Sequence, residues 1–303
     1  MAGFDESDPI TEEGLGNIPE EGYTSLLSTT ALEGARIGVF RDLFRSGPVH
    51  EESLAIIDEA IEDLAAEGAT IIDDVSLGFN LFDFLAGARL NVLEFKFALN
   101  DYFESLSSDA PVQTIQDIIN DGRFLPSLGI RLAISQSIDS LENNNTYIEL
   151  LSQREFLQEA TVALMDELDL DALIYPMKTV PAPLIGEIDS GSDNPFTSIA
   201  GLPGIVIPAG FTSDGLPVGL EITGKPFSEA KLIGFAYDYE QATLHRSPPE
   251  NLSDINLEYV NGNSDSGISF KDIRISLLET DILTSTENSD LAIFPEPEIT
   301  SLV

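Results

Sequence analysis

From Asp171 to Pro249 short apolar runs alternate with glycine, proline and aspartate breaks, and this order constrains the fold more than any other stretch of the chain. DALIYP (Asp171 to Pro176) is an apolar run closed by proline, the pattern of a buried strand ending in a turn. Gly204-Ile205-Val206-Ile207-Pro208 has a β-branched centre that suits a strand buried on both faces, as in the parallel part of an α/β sheet, with Ala209-Gly210 ending it. Ser213-Asp214-Gly215 reads as a turn, and Pro217 to Thr223 as the next strand, where Gly219 marks a close approach to the backbone. Ser228 then opens a helix as its N-cap. Along that helix Leu232, Ile233, Phe235, Ala236 and Tyr239 share one apolar face, and Pro248-Pro249 stop the chain soon after.

Upstream, Arg36 to Phe40 is a strand candidate, and Glu51 to Glu67 a helix with Leu54, Ile57, Ile61 and Leu64 on one side and Gly68 as its stop. Ala69 to Ile72 follows as a second strand. A strand, a helix and a strand at this spacing form a βαβ unit, hence a sheet with parallel pairs and helical cover. Phe79 to Leu106 reads as a long helix or a helical pair with Gly87 as a break, buried between layers. Thr114 to Asn120, Leu128 to Leu141 and Asn145 to Leu168 continue the helical reading, the last two separated at Asn143-Asn144-Asn145.

In their order, DALIYP, IAGLPGIVIPAG and DGLPVGLEITGKPFSEAKLIGFAYDYEQATLHRSPP resemble the C-terminal part of the amidase signature family. LEGARIGVFRD (Leu32 to Asp42) and LEFKFALNDYFESL (Leu93 to Leu106) extend the resemblance upstream, so that it covers roughly residues 1 to 250. It implies an α/β fold, a mixed twisted sheet with helices on both faces, and hydrolysis of a C–N amide bond by a Ser-cisSer-Lys triad. There a serine attacks the carbonyl, a bridging serine and a neutral lysine relay its proton, and backbone N–H groups hold the oxyanion. In the family those residues precede the stretch matched by Leu32 to Asp42, and nothing in Met1 to Ala31 resembles the glycine- and serine-rich loop or the lysine strand. No catalytic residue is therefore assigned in this chain. The expectation is an amidase portion inactive alone, completed by a separate N-terminal half or surviving as a non-catalytic remnant or interaction protein. Its bared sheet edges and helix faces point to self-association or poor solubility, so a homo-oligomer is the other expected partnership.

By the same resemblance, the loops that approach the family's cleft correspond to Met177 to Pro183 and Thr197 to Gly201. The substrate-contact candidates are Met177, Lys178, Thr197 and Gly201, facing a small amide, with Met177 standing where relatives usually carry threonine. Other constellations have bland readings. Ser228-Glu229-Ala230-Lys231 matches S-x-x-K but lacks S-D-N and K-T-G partners. Gly219 to Lys225 matches most of a phosphate loop, yet Pro226 replaces the required Ser or Thr and the centre reads as strand. Glu94, Lys96 and Asp101 read as a solvated face or an ion pair. His50 and His245, the only histidines, lie in no metal-spaced cluster and read as surface residues. Asp189, Asp193 and Asn194 offer oxygen ligands without EF-hand spacing. Ser107-Ser108 has no glycine neighbours or plausible lysine. No cofactor and no metal are expected.

Charge and cysteine content narrow the class further. Among 303 residues, 53 are Asp or Glu and 14 are Lys or Arg, a net charge of −39, which disfavours nucleic acid as a partner. Salt adaptation is one reading of that balance and an ordinary acidic protein the other. There is no cysteine, so thiol chemistry is absent. No apolar run reaches the ~18 residues of a membrane span, and Met1 to Ile10 lacks a signal-peptide pattern, so a soluble, cytoplasmic protein is favoured. The chain divides into an amidase-like portion, 1–250, and an acidic tail, 251–303, in which alternation at Ile268, Phe270, Ile273, Ile275 and Leu277 allows strands or a disordered segment.

Overall fold

Strand β3, Ala172–Pro176, is buried at every position and lies at the centre of a five-stranded mixed sheet of order β2-β1-β3-β5-β4. The computed structural model describes residues 3–184, 187 and 194–248. Asp189, Asp193 and the proposed strands of 251–303 lie outside the described residues. Every element described belongs to the unit Met1–Ser247.

The βαβ unit forms as its pattern predicts. Strand β1, Arg36–Phe40, and strand β2, Thr70–Val75, are parallel, and helix α1, Pro48–Ala66, crosses between them. Pro48 sits in the first turn, where no N–H is needed, and Gly68 takes a left-handed φ of +95° just past the end. Strand β1 also pairs in parallel with β3. Beyond β3 the sheet turns antiparallel: β3 pairs with β5, Pro217–Thr223, and β5 with β4, Gly204–Phe211.

Two apolar layers cover the sheet. Helix α1 and the last helix α8, Glu229–Thr243, pack Ile57, Leu64, Phe235 and Tyr239 onto Ile37, Ile174, Ile207 and Ile222. The opposite layer comes from three helices: α2, Leu81–Gly87; α6, Asn145–Glu167; and α7, Phe196–Ala200. They bury Leu85, Leu157, Met165 and Phe196 against Phe40, Val75, Leu173 and Tyr175. Between α2 and α6 lie α3, Asn91–Glu104, α4, Ile115–Asp121, and α5, Gly129–Gln136. Thr114 closes the N-terminus of α4 with a capping box: its hydroxyl accepts from Asp117 N, and the Asp117 carboxylate accepts from Thr114 N.

Several sequence expectations change. Strand β4 is not a doubly buried parallel strand. It is antiparallel, among the described residues it pairs only with β5, and Ile207 and Ala209 alone are buried while Val206 remains 49% exposed. Nor do Ala209-Gly210 end it, since the pairing shifts between Pro208 and Gly210 and continues to Phe211. Phe79 to Leu106 is a helical pair, broken after Gly87, and α3 is not buried between layers: Phe103 is its one buried residue, with Phe95 and Tyr102 exposed. Ser228 stands at the N-cap of α8, yet its hydroxyl makes no capping bond. Both histidines are half-buried and partnered. His50 Nδ1 lies 3.3 Å from Thr179 O, and His245 Nε2 lies 2.9 Å from Asp63 Oδ2.

Candidate functional site

The polar groups with the most chemical potential gather where β3, β5 and α7 meet. Register places Tyr175 of β3 opposite Glu221 of β5, and Glu221 opposite Val206 of β4, so the three lie in one row on one face. Glu221 is 6% exposed, a carboxyl group in the middle of the apolar run Val218 to Ile222. Its Oε1 accepts a hydrogen bond from the Thr197 hydroxyl, 2.7 Å away. Burial pushes the Glu221 carboxyl above the ordinary glutamate range, and the Thr197 hydroxyl offsets part of that shift. Tyr175 is fully buried, its hydroxyl has no hydrogen-bond partner, and burial beside Glu221 raises its phenol well above the usual value.

Helix α7 positions Thr197. Phe196 is fully buried and meets the rings of Phe40 and Tyr175 edge-on, with centroids 5.1 and 5.6 Å away, while Ile199 and Ala200 complete the buried side. Gly201 ends the helix in the left-handed region at φ +64°, where a side chain would be strained. From α6, Gln158 Nε2 donates to Ala200 O and Gly201 O, and Arg154 donates to Ser198 O and Ile199 O, so the last carbonyls of this short helix are all paired.

Asn194 ties the start of α7 to the end of β3 and to the 3-10 turn Arg41–Leu43 that follows β1. It is 3% exposed; its amide nitrogen donates to Pro176 O at 2.5 Å and Leu43 O at 3.2 Å, and its backbone N–H donates to Met177 O at 2.9 Å. Met177 in turn donates its N–H to Gly219 O. Of the four residues expected at the cleft, Met177 and Thr197 therefore each bond to β5, at Gly219 and Glu221, and Met177 is 38% exposed. Gly201 lies at the far end of α7, and Lys178 is half-buried in the connection after β3. Sequence reasoning passed over Tyr175 and Glu221. The available signal was a lone acid inside an apolar strand, which demands a buried partner.

The other constellations resolve as structural contacts. Lys231 Nζ lies 2.7 Å from Asp171 Oδ1, leaving the Ser228 hydroxyl buried and unpartnered, so the S-x-x-K spacing makes no serine–lysine pair. Burial alone would raise the Asp171 carboxyl, but Lys231 and the Arg36 N–H outweigh it and hold it low. Lys225 pairs with Asp166 just past the end of β5. Lys96 donates to Gln136 O and Ile138 O, and Glu94 accepts from the Tyr147 hydroxyl, so each of the two has its own partner. Ser107 and Ser108 are exposed beyond α3. Among the described residues no group of three or more His, Asp or Glu could hold a metal, and no helix is long and apolar enough to cross a membrane.

A protein-family comparison matches residues 2–233 to Amidase. A protein of Arabidopsis thaliana named as a probable amidase is 29% identical over 265 residues, which cover 84% of this chain and 47% of that protein. An indoleacetamide hydrolase of Agrobacterium vitis is 31% identical over 241 residues, 73% of this chain and 50% of its own length. Among solved structures, the native peptide amidase from Stenotrophomonas maltophilia superposes with a TM-score of 0.66 at 29% identity, covering 82% of this chain and 51% of that one. The chain thus spans about half the length of the relatives it matches.

Proposed function

The chain belongs to the amidase signature family, and from that premise we propose that it is the C-terminal part of a C–N hydrolase that cleaves a small amide only when an N-terminal half completes it. The observation that carries the reading is the extent of the match. It takes up most of this chain and only about half of the peptide amidase it resembles. The placement of the lysines supports it. Lys96 is engaged by backbone carbonyls, and Lys225 and Lys231 by aspartates, so none of these three is bonded to a serine as the implied triad requires. What this portion would supply is one wall of the cleft. Met177 and Thr197, held by β5, Asn194 and Glu221, are the residues on which a substrate would rest, and a Met177 side chain favours an apolar group there.

The test is hydrolysis of a panel of aryl and aliphatic amides by the purified chain, at low and molar salt, with labelling by a serine-directed fluorophosphonate. The expected result is no turnover and no label, with turnover restored when the N-terminal half of an amidase is supplied. Turnover by the chain alone with one labelled serine would overturn the proposal.

A further inference from the structure

Three stretches far apart in the chain enclose a cavity of about 270 Å³ next to the candidate site. Helix α2 ends at Gly87, and the chain turns through Ala88, Arg89 and Leu90 before α3 begins. Ala88 and Leu90 are buried, which pins the turn and leaves Arg89, between them, exposed on the cavity wall. Arg154 of α6 and the residues of α7 around Ser198 close the other sides.

The floor is apolar and the rim is cationic. Ala88, Leu90 and Ile199 are 1%, 4% and 6% exposed, whereas Arg89 is open to solvent and makes no hydrogen bond or ion pair among the described residues. Arg154 donates from Nε to Ile199 O and from Nη2 to Ser198 O, neutral partners that fix the guanidinium without cancelling its charge. Among the described residues Glu94 is the one acid on the wall, and its Oε1 already accepts from the Tyr147 hydroxyl, 3.0 Å away. Two guanidinium groups thus stand against one carboxylate. In a chain where 53 acids outnumber 14 bases, this balance runs against the surroundings, and forked donors over an apolar floor match a small organic carboxylate.

We propose that this cavity holds an anionic group, and that the small amide bound by this portion carries a carboxylate at the end remote from its amide. The inference rests on the reading of the chain as an amidase portion and names the class of its substrate. Helix α7 makes the connection. Thr197 turns to Glu221 on β5, while Ser198 and Ile199, the next two residues, line the cavity, so the two ends of one small substrate would rest on consecutive residues of this helix. Arg89 sets the preference, because its charge has no other partner, whereas Arg154 also holds the last carbonyls of α7.

The experiment is a nitrogen-15 NMR titration of the purified chain with three probes of one skeleton: succinamate, butyramide, in which a methyl replaces the carboxylate, and 3-aminopropanamide, in which an ammonium replaces it. At about 0.15 M NaCl, where the Debye length is about 8 Å, succinamate is expected to bind at least ~10-fold more tightly than butyramide and to shift the Nε–H signals of Arg89 and Arg154. Arg89→Gln, at an exposed position that supports no other contact, abolishes the preference, and Arg89→Lys retains part of it. Glu94→Gln keeps an acceptor for Tyr147 and removes the opposing charge, so it tightens succinamate binding by about 3-fold or more. Opposite signs at Arg89 and Glu94 are an electrostatic signature that a general loosening of the fold would not produce. Equal binding of succinamate and butyramide, or binding of neither at about 100 mM, overturns the proposal. Tighter binding of 3-aminopropanamide assigns the cavity to a cation through Glu94 and also overturns it. Turnover of neutral amides by the chain completed with an N-terminal half, without succinamate binding, overturns the carboxylate and leaves the amidase reading standing. Succinamate binding without turnover in the completed form upholds the cavity and overturns that reading.

Discussion

The Thr197 hydroxyl donates to Glu221 Oε1 across 2.7 Å, and this bond joins the short helix α7 to the middle of strand β5. It places an acid between Tyr175 of β3 and Val206 of β4. Space around the bond is tight: a Cβ on Gly204 would lie 2.7 Å from Glu221 Oε1 and 2.8 Å from Thr197 Cγ2. Glycine at the start of β4 is therefore what lets the pair form beneath the edge strand.

Glu221→Gln keeps the acceptor for Thr197 and removes the charge. Because burial raises the Glu221 carboxyl in the folded chain, the folded state holds this proton to higher pH than the unfolded state does. Its contribution to stability is complete below the ordinary glutamate range and is lost as pH rises through the raised value. The variant is expected to match the parent near pH 4 and to exceed it at pH 8 by roughly 1–3 kcal/mol, the scale of a poorly solvated buried polar group. Urea unfolding of both proteins at the two pH values reads the difference. A parent that is the more stable at pH 8 would show that the charge is compensated.

Tyr175→Phe tests the neighbouring position. The ring is fully buried against Phe196, with centroids 5.6 Å apart, and the hydroxyl has no hydrogen-bond partner. Removing an unsatisfied buried hydroxyl while keeping the ring is expected to leave stability unchanged or raise it by about 1 kcal/mol. A loss of that size in thermal or urea unfolding would mean that the hydroxyl is bonded in the folded protein.

The parts of this fold that periodicity made legible are those in which one residue type answers to one local rule. Ile37, Ile57, Leu64 and Ile174 fall where strand and helix periods put them, and the βαβ unit follows. Strand β4 shows where that logic stops. Its β-branched run states that the strand is apolar and leaves open whether both faces are covered, since cover on the Val206 side depends on what packs there. Helix α3 departs from its sequence pattern for a related reason: Phe95 and Tyr102 look like core residues in the sequence and stand exposed in the described unit. At the candidate site, Met177 and Thr197 came from family resemblance. The buried pair Tyr175 and Glu221, 46 positions apart, becomes visible only when β3 and β5 are set in register.

Asp238 secures the segment that precedes β1. It is 1% exposed in α8, and its Oδ2 accepts the N–H of the fully buried Leu32 at 2.8 Å, a contact across 206 positions. Asp238→Ala leaves that N–H without an acceptor and is expected to cost about 1.5–3 kcal/mol, the range for a hydrogen bond to a charged group. Asp238→Asn retains an acceptor oxygen and should recover most of the loss. Equal losses in the two variants, measured by urea midpoints, would assign the effect to the charge rather than to the hydrogen bond.

Salt dependence follows from the imbalance between a few local ion pairs and a large excess of acid. Among the described residues Arg36, Arg41, Arg123, Lys225 and Lys231 pair with aspartates, and Arg41 grips Asp73 with two nitrogens while reaching Asp58 with a third. Screening weakens such pairs, yet 14 basic residues cannot neutralise 53 acidic ones, so most carboxylates meet only like charge. Raising ionic strength from 0.1 to 1 M shortens the Debye length from about 10 to about 3 Å, which relieves the long-range repulsion more than it loosens contacts already within hydrogen-bond distance. The melting temperature is therefore expected to rise with NaCl over this range, and to rise equally with KCl if screening is the cause. Arg41→Ala should lose stability at both salt concentrations while keeping the same upward slope. A melting temperature that falls with salt in the parent and stays flat in that variant would instead make the Arg41 pairs the dominant electrostatic contribution.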